Sequence, residues 1–90
     1  MLSLKDCLDF CDLDYSEIEA VAEHEHIPVI IAAELGSNLL DTPEGVRDLH
    51  RMVREDIEHA LEIGETEHAT RLTATYLHLK ATHPLPPEQA

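Results

Sequence analysis

Glu23-His24-Glu25-His26 is the densest run of potential metal ligands in the chain, and its spacing matters as much as its composition. Residues three apart share a helical face, so Glu23 and His26 form the Glu-x-x-His pair that carboxylate and histidine metal sites in helical bundles use. Glu65 and His68 repeat the pair, and Asp56 and His59 give its aspartate version. Imidazole is a common ligand for transition metals and the side chain that titrates nearest neutral pH, so 7 histidines in 90 residues ask for a chemical account. With 19 acidic residues in the same chain, chance alone supplies some of these pairs.

A third ligand is therefore needed, and Glu34 is the candidate. It follows Ile31 and Ile30 by three and four residues, which places it on the apolar face of its helix, as Glu25 is placed on the helix before. A carboxylate on a buried face costs several kcal/mol, roughly 3 to 5 when left unpaired, so something must neutralise it. An arginine, the amide hydrogens of a helix N-terminus, a bound cation or a proton would each serve. The metal reading takes Glu23, His26 and Glu34 as ligands for iron or another divalent metal, with the site completed across a two-fold axis. The same projection puts His24, His59 and His78 away from the apolar stripes, His26, His50 and His68 at their edges, and His83 on a buried line.

Six basic residues against the 19 acids give a formal charge of -13, which disfavours nucleic acid and anionic membrane surfaces as partners. Lys5 is the lone base before Arg47. Arg47, Arg51 and Arg54 then recur at i, i+4, i+7, off the apolar stripe, as a basic face that pairs locally, Arg51 with Glu55 and Arg54 with Glu58, or that docks on the acidic half or, with Glu25, faces another subunit or a partner. Cys7 and Cys11 share a helical face with Leu4 and Leu8 and read as core filling rather than as a redox or metal pair. No glycine-rich phosphate loop or nucleophile elbow is present, and the cysteines lack an electropositive setting, so the chain reads as a non-enzyme.

The elements that must position these groups are all helical. Ser3 opens a first helix over Ser3–Cys11, and Ser16 with Glu19 forms a capping box that starts a second. Pro28 predicts a break near His26 and Ile27 and suits the first position of a third helix carrying Ile30, Ile31, Leu35, Leu39 and Leu40, with Gly36 either ending it or tolerated inside. Thr42-Pro43-Glu44 starts a fourth helix with the stripe Val46, Leu49, Val53, Ile57, Ala60 and Leu61, closed by Gly64. Ala69, Leu72, Tyr76 and Leu79 mark a fifth, stopped at His83-Pro84. These predict an all-α single domain over residues 1–83, a compact bundle of four to five short helices ending in an antiparallel hairpin, followed by a flexible Pro-rich tail over 84–90.

The Glu23-His24-Glu25-His26-Ile27-Pro28 stretch, with Ala33-Glu34-Leu35-Gly36 and Thr42-Pro43-Glu44-Gly45, resembles a group of small helical proteobacterial proteins along most of the chain. That resemblance implies a bacterial, cytoplasmic setting and no activity. A thinner similarity to ferritin-like di-iron proteins rests on Glu23 and His26, or Glu65 and His68, with Glu34. An acid-interrupted N-terminus without the apolar core of a secretory peptide, and no apolar run of membrane-spanning length, point the same way. The favoured expectation is a small acidic accessory module that recognises a protein partner and forms a dimer, because a chain this short gains from burying a helical face. The alternative is the metal-binding protein described above.

Overall fold

A computed structural model describes residues 12–87, and it is all-helical, with four helices and no strand among the described residues. They are α1 (Tyr15–Glu25), α2 (Val29–Leu39), α3 (Pro43–Glu62) and α4 (Thr66–Thr82). The helix expected over Ser3–Cys11, with Cys7 and Cys11, lies outside these residues.

Helix α1 starts two residues earlier than the Ser16 cap predicts. Asp14 and Glu17 have the same cap grammar as Ser16 and Glu19, and they win because Glu17 is also buried. Its carboxylate accepts the Asp14 amide at 2.7 Å and meets His78 of α4 at 3.3 Å, so the cap is also a tertiary contact. The break before Pro28 occurs as expected: α1 ends at Glu25, and His26 takes the left-handed conformation (φ 56°, ψ 48°) as its C-cap. Pro28 is the N-cap of α2 rather than its first helical residue.

Gly36 stays inside α2, buried under Leu13, whose Cδ1 would lie 2.5 Å from an added Cβ. Thr42 caps α3 by accepting the Gly45 amide at 3.0 Å, with Pro43 and Glu44 in the first turn. Gly64 (φ 81°) closes that helix in the left-handed region, and the turn at Ile63–Glu65 leads directly into α4.

The core is one cluster of Leu13, Ile18 and Val21 with Ala32 and Ala33 of α2, Leu49, Met52 and Val53 of α3, and Leu72 and Leu79 of α4. His50, fully buried on α3, packs edge-on against Tyr76 with ring centroids 5.4 Å apart. Its Nε2 donates to the His83 carbonyl at 2.7 Å, which ties the end of α4 to the middle of α3. Leu61 departs from the expected stripe: at 57% exposure it belongs to the outer face of α3.

Candidate metal-binding site

Neither Glu25 nor Glu34 is forced inward; both are exposed. The physical reason is the identity of the buried faces. Ile30 and Ile31 are themselves 37% and 46% exposed, and α2 turns Ala32, Ala33 and Gly36 toward the core, so a projection anchored on the two isoleucines selects the wrong side. In α1 the buried residues are Glu17, Ile18, Ala20 and Val21, and Glu25 is the last residue of the helix. Glu34 does not line the cavity that Glu23 and His26 share.

The arginines do not reach Glu25 or Glu34 either. Arg47 approaches Glu44 at 4.0 Å, and Arg51 pairs with Glu55 at 2.9 Å and Asp48 at 3.7 Å. Arg54 is exposed, and the expected Arg54–Glu58 pair is absent among the described residues.

What the fold does bring together is all three acid-x-x-His pairs. Glu23 and His26 at the end of α1, Asp56 and His59 on α3, and Glu65 and His68 at the start of α4 line one cavity of about 400 Å³, joined by His24 and Glu55. Each pair arrives for a local reason. The stop before Pro28 puts Glu23 and His26 at the tip of α1, and the Gly64 turn places the last turns of α3 beside the first turn of α4.

Asp56 is the buried member, 6% exposed, with an Oδ2 that has no hydrogen-bond partner. Burial pushes its carboxyl up to about 7, and the negative charge of Glu23 adds to that, against the opposing pull of His24 and His68. The signal for Asp56 was present in the sequence, seven residues after Leu49, three after Val53 and four before Ala60, on the stripe itself.

Two histidines hold neighbouring carboxylates in place. His24 contacts Glu25 through Nδ1 at 2.8 Å and Glu55 through Nε2 at 2.7 Å, and it donates to both only as imidazolium. Burial pulls this imidazole down, but the Glu55 and Glu25 hydrogen bonds and the charge of Asp56 outweigh it and hold His24 above its usual value. His24 in turn holds Glu55 below the usual carboxylate range. His68 meets Glu23 Oε1 at 2.5 Å through Nε2, while Arg71 lies 3.4 Å from its Nδ1. A guanidinium only donates, so in the neutral ring Nδ1 accepts from Arg71 and Nε2 donates to Glu23.

A second group, Asp14, Glu17 and His78, brings three possible ligand atoms within 4.8 Å of one another. Its members also serve the fold: Glu17 accepts the Asp14 amide and faces His78 Nδ1, and His78 Nε2 faces Asp14 at 3.3 Å. An ion here would have to displace His78 from one of these carboxylates, at the cost of the link between the cap of α1 and α4.

No known protein family matches the chain, and no curated protein or solved structure shows significant similarity to it. Among the described residues no helix is long and apolar enough to cross a membrane.

Proposed function

We propose that the protein binds a first-row divalent transition metal ion in the cavity between α1, α3 and α4, with ligands drawn from Glu23, His26, Asp56, His59, Glu65 and His68. The observation that supports this reading is that three acid-x-x-His pairs from three helices line one cavity with Asp56, a buried carboxylate with an unpartnered oxygen; their ligand atoms do not yet stand within 4.8 Å of one another in threes, so an ion would draw them together. A site of this composition suits borderline ions such as zinc, cobalt, iron or manganese, for which mixed imidazole and carboxylate donors are ordinary. A divalent cation supplies the positive charge that the field around Asp56 lacks. It would recruit Glu23 and His68 by exchanging their mutual hydrogen bond for coordination, so binding releases protons and tightens with rising pH.

Titration of protein lacking a histidine tag with cobalt(II), followed by its visible absorption, and with zinc by calorimetry, tests the proposal. Saturable binding is expected in the native chain and in His78→Ala, and loss of at least about tenfold in affinity in Asp56→Asn and in His59→Ala. Binding that survives the latter two substitutions but disappears in His78→Ala would move the ion to the start of α1 and overturn the assignment.

A further inference from the structure

A second cavity, of about 520 Å³, lies between α1 and α4 and shares Glu23 and His68 with the first. Its apolar lining is Ala20, Ala22, Val29 and Leu72, and its remaining charges are Glu19 and Arg71. Arg71 has no carboxylate partner: its polar side-chain contact among the described residues is the weak one to His68 at 3.4 Å, whereas Arg47 and Arg51 each face a carboxylate. Arg54 also stands unpaired among these residues, but Arg71 is the arginine that lines this cavity. Glu19 lines the same cavity and likewise makes no ion pair among the described residues. Two opposite charges therefore face one cavity without joining each other, above a floor of small and branched aliphatic side chains.

We propose that this cavity binds a free aliphatic α-amino acid. Arg71 takes the α-carboxylate in its planar fork, Glu19 takes the α-ammonium, and the hydrocarbon side chain lies against Ala20, Val29 and Leu72. A simple carboxylate would meet Arg71 but leave Glu19 repelling it, and a simple amine would leave Arg71 without a partner. The zwitterion satisfies both. The volume falls within the range of ordinary small-ligand sites. This inference goes beyond the metal reading and needs no metal.

Calorimetric titration of the chelator-treated full chain with L-leucine, 4-methylpentanoate and 3-methylbutylamine tests it. Leucine is expected to bind saturably, and the analogues lacking the amine or the carboxylate at least roughly tenfold more weakly. Arg71→Gln and Glu19→Gln are each expected to weaken leucine binding about tenfold with the thermal melt unchanged, since both side chains are exposed. No saturable leucine binding up to about 10 mM, equal binding of 4-methylpentanoate, or indifference to Arg71→Gln would overturn the proposal. Repeating the titration with zinc-saturated protein separates the two readings, because the metal-free result stands whatever the metal does.

Discussion

Glu23 on α1 and His68 on α4 stand 45 residues apart in sequence, share a 2.5 Å hydrogen bond, and each line the two cavities described above. The pair is half open to solvent, with side-chain exposures of 44% and 29%. Its contribution to folding is therefore that of a surface contact, at most about 1 kcal/mol. In the proposed metal site its contribution is of another order, because Glu23 and His68 belong to two different acid-x-x-His pairs. Glu23→Ala is expected to lower the metal-free stability by no more than about 1 kcal/mol in urea unfolding while weakening cobalt(II) binding at least tenfold. A large stability loss with unchanged cobalt affinity would show that Glu23 is structural.

The pH response of the metal-free protein follows from Asp56 and His24. Asp56 rises from an ordinary 3.8 to about 7 in the folded chain, so between these values the unfolded chain has lost a proton that the folded chain keeps. Stability from this group is highest below pH 3.8 and falls as pH rises through about 7. His24, held above its usual 6.5, has the same sign: its contribution is complete below 6.5 and is lost as pH rises through the folded value. In chelator-containing buffer the melting temperature is thus expected to be higher at pH 6 than at pH 8. Asp56→Asn is expected to flatten that slope and to stabilise the metal-free protein at pH 8 by roughly 2 kcal/mol. A melting temperature that climbs from pH 6 to pH 8 would refute this account.

How much of this was legible in the sequence depends on which signal each residue carried. Helix ends were readable because they are written in short-range chemistry: Thr42-Pro43, Gly64 and His83-Pro84 lie where the structure starts or stops an element. The start of α1 was missed by two residues because two overlapping cap motifs compete, and only burial of Glu17 against His78 decides between them. Faces were harder. In α3 the strong amphipathic stripe identifies the core correctly through Leu49, Val53 and Ala60, whereas α2 is apolar nearly all round and its buried side is set by close packing at Ala33 and Gly36. That is why Glu34 was projected inward when it is exposed. The three acid-x-x-His pairs were visible, but their meeting in one cavity depends on how α1 ends against the α3–α4 turn, a long-range relation that no local spacing encodes.

His26 is the clearest place to look for a trade between stability and function. It occupies the left-handed region as the C-cap of α1, where glycine is the ordinary residue, and it lines the cavity proposed to hold the metal. A side chain there costs roughly 1 kcal/mol relative to glycine. His26→Gly is expected to raise the unfolding free energy of the metal-free protein by about that amount and to weaken cobalt(II) binding severalfold. His26→Ala keeps the backbone cost, so it should weaken binding without the gain in stability. Equal stability of the glycine and alanine variants would mean that the left-handed cap is not occupied in solution.

Gly45 tests the packing that positions α3, and with it Asp56 and His59. A Cβ added at Gly45 would lie 1.9 Å from the Leu39 carbonyl oxygen and 2.6 Å from its carbon, both backbone atoms of α2 that cannot rotate away. At Gly36 the obstacle at 2.5 Å is the tip of the flexible Leu13 side chain, and at Gly64 there is no obstacle at all, only the strain of φ 81°. Substitution by alanine should therefore cost most at Gly45, about 3 kcal/mol, and about 1 kcal/mol at Gly64, with Gly36 in between or below as Leu13 gives way. Because Gly45→Ala must push α2 and α3 apart or unseat the Thr42 cap, it should also lower cobalt(II) affinity from the far end of α3. Chemical denaturation of the three variants measures the ranking, and a Gly45→Ala protein as stable as the native chain would refute the close approach of α2 to the start of α3.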